Sequence, residues 1–200
     1  MKQRISIGIV IILFLLLAAM FLFLAYAPSG ATANPVFASV YPGPLRLPER
    51  SKTDGCTARN GLPDPRCTPG AVFPDATKET VCTKGYTKTV RDVSAKLKKQ
   101  VYAEYSLSYP QASGAYEADH FIPLELGGNN DIANLFPEAA RPTPGFREKD
   151  LVENYLNDVV CDGRISLVTA QKLISTNWVA VYDSLSREEI QKLKREFSRW

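Results

Sequence analysis

Histidine is almost absent from this chain of 200 residues: the only one is His120. A site built from two or three imidazoles is thereby excluded. The four cysteines, Cys56, Cys67, Cys82 and Cys161, include no CxxC pair, which argues against a structural zinc site. No sign of charge dominates. Of 24 basic residues, Lys2 and Arg4 precede an apolar run, which leaves 22 against 21 acidic ones. A polybasic surface is excluded, so any polyanion must be met by a local site, not by a global field. There is no internal repeat. Hydrophobic content of 45% and charged content of 22% are globular values.

The long apolar run is residues 5–27, without a charge. A helix spanning the hydrocarbon core takes about 20 residues. Lys2 and Arg4 before it keep the N-terminus in the cytoplasm, and the rest of the chain is then exported. Two readings stay open. The run exceeds the roughly 7–15 apolar residues of a secretory signal, which favours an uncleaved anchor: a single-pass protein of the cell membrane with its C-terminal domain outside. Ala25-Tyr26-Ala27 and Ala31-Thr32-Ala33 nevertheless fit cleavage sites, and cleavage gives a secreted protein. Both put residues 34–200 where disulfides persist. Four cysteines allow three pairings. The favoured one joins Cys56 to Cys67 across a short Pro/Gly-rich loop, and Cys82 to Cys161 across most of the domain.

Past the signal helix at 1–27, residues 28–55 are rich in Pro, Gly, Ser and Ala and read as a flexible linker. Residues 56–80 read as an irregular segment tied by its disulfide. The compact domain is placed at 81–200. Helices are expected over 92–105 with Ser94 as N-cap, 147–160, 166–181 behind Ser166, and 186–199, where Ser186 and Glu189 match a capping box. Strands are expected around 117–121 and from Asn134-Leu135-Phe136, with Pro123 and Gly127-Gly128 breaking any helix between them. The class is α+β. Lys84, Lys88, Arg91, Lys96, Lys98 and Lys99 form a solvated basic face or a set of phosphate contacts. Trp178 and Trp200 read as packing residues.

The order EADHFIPLELGGNNDIANLFPE, residues 117–138, is specific. Asp-His at a strand end, a Gly-Gly loop and Asn-Leu about 14 residues after the histidine resemble the HNH endonuclease motif. The chain resembles small exported bacterial HNH-type proteins more broadly over 68–180, in TPGAVFPDAT (68–77), VCTKGYTKTVR (81–91), KDLVENYL (149–156) and VCDGRISLVTAQKLISTNW (160–178). The last stretch supports Cys82–Cys161.

That resemblance implies a ββα-metal core with additional helices, locked by disulfides, over 81–200. It implies a metal-dependent endonuclease hydrolysing phosphodiester bonds of nucleic acid outside the cytoplasm. DNA is favoured as substrate with RNA left open, and since no recognition domain is visible, low sequence specificity is expected. Beyond the nucleic acid and the membrane at 5–27, no obligate protein partner is evident. The chemistry suits the residue types. Hydrolysis needs an activated water and a cation that neutralises charge on the phosphate and the leaving group. His120 is then the general base, Asp119 an oxygen ligand of the metal, and Asn134 the residue orienting His120 through its amide.

The sequence departs from the motif at its last place, usually a histidine on the helix. At about 100° per residue, Leu151, Val152, Tyr155, Leu156, Val159 and Val160 form the apolar stripe of 147–160. Glu153 lies on its border, Asn157 stands beside it at i+4, and Asn154 faces away. Glu153 or Asn157 is therefore the expected further ligand, with Asn154 third, unless Glu153 only pairs with Lys149 on a solvated edge. An all-oxygen set favours Mg²⁺ or Mn²⁺. Glu117 shares the strand face of Asp119, as an outer group or a plain surface carboxylate. The departure also leaves an alternative: a catalytically impaired relative serving as an extracytoplasmic binding or structural module.

Overall fold

A computed structural model describes residues 43–197. The apolar run 5–27, the first part of the linker and Trp200 lie outside the described residues. Two strands form one antiparallel hairpin. β1 (Tyr116–His120) pairs with β2 (Leu135–Ala139), His120 opposite Leu135 and Tyr116 opposite Ala139. Among the described residues three α-helices precede it: α1 (Lys78–Val81), α2 (Tyr86–Val90) and α3 (Ala95–Glu104). Three follow: α4 (Phe146–Cys161), α5 (Leu167–Ser184) and α6 (Arg187–Phe197). The architecture is mixed α+β. Among the described residues no helix is long and apolar enough to cross a membrane.

Local chemistry sets the boundaries. The Ser94 side chain accepts the Leu97 amide, and that of Ser166 accepts the Thr169 amide. Ser186 and Glu189 close their capping box reciprocally, at 2.8 and 3.1 Å. α5 is interrupted at Asn177, where the backbone leaves helical angles and the side chain recaps the chain through the Ala180 amide.

The hairpin loop explains its two glycines. Gly127 has φ +76°, and a Cβ there would lie 2.6 Å from that of Ala76. A Cβ on Gly128 would lie 1.8 Å from the Ile122 carbonyl oxygen. The loop folds back onto its own start too closely for any side chain.

The apolar stripe of α4 is buried against Ile122 and Leu126 of this loop and against Leu173, Ile174 and Trp178 of α5. A smaller cluster joins Phe121 and Phe136 to Tyr105 and the Cys56–Cys67 bridge. Both expected disulfides are present, Cys56–Cys67 and Cys82–Cys161. The described end of the segment read as linker is bonded to the domain. Arg50 donates to the Cys67 carbonyl at 2.8 Å and pairs with Glu104, and Lys52 pairs with Asp64 at 3.0 Å. Its Pro and Gly content signals irregular backbone, and ion pairs can still fasten irregular backbone.

Candidate functional site

Asp119 and His120 end β1 and send their side chains to opposite faces of the hairpin. On the Asp119 face, Glu117 pairs with Glu138 across the strands. α4 packs over this face and brings Lys149 with it. The Lys149 side chain is 0% exposed. Its ammonium donates to Asp119 Oδ2 and to the His120 carbonyl, both at 2.7 Å, and to Glu153. Glu138 Oε2 is 3.8 Å away. Asp119 Oδ1 meanwhile accepts the His120 amide at 2.8 Å.

These groups set one another's charge. Burial by itself pushes the Asp119 carboxyl up, but the Lys149 ammonium and neighbouring hydrogen bonds outweigh it and hold the pKa at about 2. Burial disfavours the Lys149 cation, yet Asp119, Glu153 and Glu138 hold its pKa well above the usual lysine value. Burial pushes Glu138 and Glu153 well above the carboxylate range against the pull of Lys149. Glu138, a residue 2% exposed, hydrogen-bonds the Asp119 carboxylate, a contact that lowers the pKa of Asp119 and raises that of Glu138.

On the other face the His120 ring meets Asn130, with Nε2 3.1 Å from Oδ1. The amide orientation is fixed from outside: Asn130 Nδ2 donates to the Val90 carbonyl at 2.7 Å, and Oδ1 also accepts the Asp92 amide at 3.2 Å. An acceptor therefore faces Nε2. The neutral ring carries its proton there and keeps a lone pair on Nδ1. Burial lowers the pKa of His120 against the opposing pull of Asp119 and Asn130, so the imidazole is neutral at pH 7.

The other expected residues lie as follows. Asn134 is fully buried. Its amide accepts the Ile122 N–H and donates to the carbonyls of Ile122 and Asn129, at 2.9, 2.9 and 2.8 Å. It pins the backbone just after His120 and makes no bond to the ring. Glu153 reaches Lys149 and is buried, so it does not stand on a solvated edge. Asn157 donates to the Glu125 carbonyl at 2.7 Å, fastening α4 to the hairpin loop. Asn154 bonds to the Asp150 carbonyl of its own helix. Glu117 is exposed. The structure thus brings Asp119 and Glu153 together around one cation and turns Asn157 elsewhere.

Glu138 and Asn130 escaped the sequence reading; Lys149 was expected only as the partner of Glu153 on a solvated edge, and that pair is present but buried. Lys149 had a signal, because it stands three residues before Val152 and seven before Leu156, in register with the apolar stripe. A cleft of 420 Å³ borders the site, lined by Asp119, Glu117, Arg91 and Lys98 among others. Among the described residues, no three His, Cys, Asp or Glu side chains are arranged to hold a metal ion; an ammonium stands among the carboxylates instead.

No family model, no curated protein and no solved structure matches this chain.

Proposed function

We propose that the chain is a metal-dependent endonuclease of the HNH kind, hydrolysing phosphodiester bonds of nucleic acid outside the cytoplasm. DNA is the expected substrate, cut with low sequence specificity, and residues 5–27 are the membrane anchor or signal. In this reading β1, β2 and α4 are the ββα core. The observation that carries it is the state of His120: neutral, fixed by Asn130 in the tautomer that leaves Nδ1 basic, and adjacent to an ionised aspartate.

The donor types, carboxylate oxygens, suit a hard divalent cation, but the Lys149 ammonium occupies their centre. Asp119, Glu153 and Glu138 surround that ammonium, and among the described residues no three such side chains are arranged around a vacant centre for a metal ion. Asp119 and Glu153 are the residues that would hold Mg²⁺ or Mn²⁺. When bound, such an ion neutralises charge on the scissile phosphate and the leaving oxygen. His120 Nδ1 takes the proton of the attacking water. Asn130 holds the ring in that tautomer. Asn134 keeps the strand end and the loop after it in place. Arg91 and Lys98 draw the phosphate toward the cleft.

The test is plasmid nicking by the full chain, held in nonionic detergent, with EDTA, Mg²⁺ or Mn²⁺, beside His120→Ala. The expected result is metal-dependent nicking that His120→Ala abolishes. Absence of nicking with every metal, from folded and disulfide-bonded protein, overturns the reading. One observation favours the second reading, an impaired binding or structural module: the Lys149 ammonium already fills the centre of the carboxylate cluster.

A further inference from the structure

Tyr109 is the one large apolar side chain among the described residues that stands exposed, at 37%. It lies in the turn before β1, braced edge-to-face by the buried Tyr102 with ring centroids 5.3 Å apart. Both tyrosines line the 420 Å³ cleft that reaches Asp119. That cleft shares Ser113, Gly114 and Tyr116 with a second one, of 760 Å³, lined also by Arg141 and Arg147. Arg147 reaches the shared wall: a Cβ built on Gly114 would lie 3.2 Å from its guanidinium. Cations therefore stand in both clefts, Arg91 and Lys98 in the first, Arg141 and Arg147 in the second. Acidic groups occur at Glu117 and Asp119, beside the reaction centre, and at Glu148.

Cations on both sides of a shared wall, with an exposed aromatic ring braced by one neighbour, are what an unpaired strand binds. The cations meet its phosphates, and the ring stacks on a base regardless of sequence. Bases inside a duplex are already stacked and offer the ring no free face. We propose that the two clefts form one track for single-stranded nucleic acid, with Tyr109 as its stacking platform beside the cutting site. This rests on the nuclease reading and narrows its substrate to unpaired strands or unpaired segments.

The test is fluorescence anisotropy of the full chain in detergent and EDTA, with a labelled oligonucleotide as a single strand and as its duplex. The single strand is expected to bind about tenfold more tightly than the duplex, and Tyr109→Ala to remove about that factor. Tyr109→Trp should retain it, and duplex binding should change little in either variant. Unaltered thermal unfolding of Tyr109→Ala guards against a folding artefact, and the Trp variant decides if unfolding does change. Equal affinity for both forms, or a strand affinity indifferent to Tyr109→Ala, overturns the track. The two readings fail separately. Metal-dependent nicking with no strand preference leaves the nuclease and sinks the track; Tyr109-dependent strand binding with no cleavage in any metal does the reverse.

Discussion

Lys149 places a fully buried ammonium 2.7 Å from the Asp119 carboxylate, across the seam between α4 and β1. Without that cation, Asp119, Glu138 and Glu153 would stand together with no counter-charge. Removing one partner of a buried ion pair costs about 3–5 kcal/mol, because it strands the other charge. Lys149→Met is expected to destabilise by that amount in urea unfolding. Lys192→Met is the control. Its partner Glu196 is 3.8 Å away and both side chains are exposed, so the loss should stay below about 1 kcal/mol. Equal losses would mean that the buried pair has no special weight.

The His120 tautomer makes a claim about pH. Burial depresses its pKa in the folded protein, below the usual value of about 6.5. The unfolded chain therefore binds the proton more readily between those two values, and stability rises with pH across that window. The contribution is complete above pH ~6.5 and disappears as pH falls through the folded value. If His120 is the general base, kcat/KM follows the same direction, with an acid limb centred below 6.5 and a plateau through neutral pH. His120→Ala should lower kcat by about 10²–10⁴ and erase that limb. Asn130→Ala should lower kcat less, since the base remains but its tautomer is no longer held. A limb centred above 6.5 would contradict the burial argument.

What was legible in the sequence had short-range causes. The caps at Ser94, Ser166 and Ser186, the α4 stripe and the glycine pair each follow from local backbone or periodicity rules. Asp119 and His120 stood out because the residue types are rare in that order. The rest depends on distance in the chain. Lys149 reads as an ordinary solvated lysine until β1, 29 residues earlier, turns a carbonyl toward it. Asn130 becomes the partner of His120 only because the loop after β1 folds back, and its orientation depends on Val90, 40 residues away. Glu138 looks like a surface strand residue until the hairpin register sets it opposite Glu117. The residue expected to orient the imidazole, Asn134, is buried beneath the loop and acts on backbone.

Asn134→Ala follows from that geometry. It would leave the Ile122 amide and the Ile122 and Asn129 carbonyls without their partners in a buried loop. Each buried polar group left unsatisfied costs about 1–3 kcal/mol, so a total near 3 kcal/mol or more is expected in chemical unfolding. Asn134→Asp keeps the acceptor for Ile122 but loses both donations, and should fall between. Hydrogen exchange reads the mechanism: protection should drop first at Ile122 and its loop, while α5 stays protected. Uniform loss of protection would instead assign Asn134 to the global core.

The two disulfides should contribute unequally, because the loops they close differ. Cys82 and Cys161 are separated by 79 residues, Cys56 and Cys67 by 11. The chain-entropy relation gives about 4.5 kcal/mol for the longer loop and about 2.8 kcal/mol for the shorter. Cys82→Ser with Cys161→Ser should therefore lower the unfolding free energy more than Cys56→Ser with Cys67→Ser. The consequences for the site should run the other way. Cys161 ends α4 far from Lys149, whereas the Cys56–Cys67 bridge packs on Phe121 and Phe136, next to His120 and Asp119 in the hairpin. Loss of the short bridge should cost less stability and more activity, and paired unfolding and nicking assays on the two double variants separate these effects. If the long-bridge variant is both the less stable and the less active, the hairpin does not depend on its local staple, and the rigidity of the site comes from α4 alone.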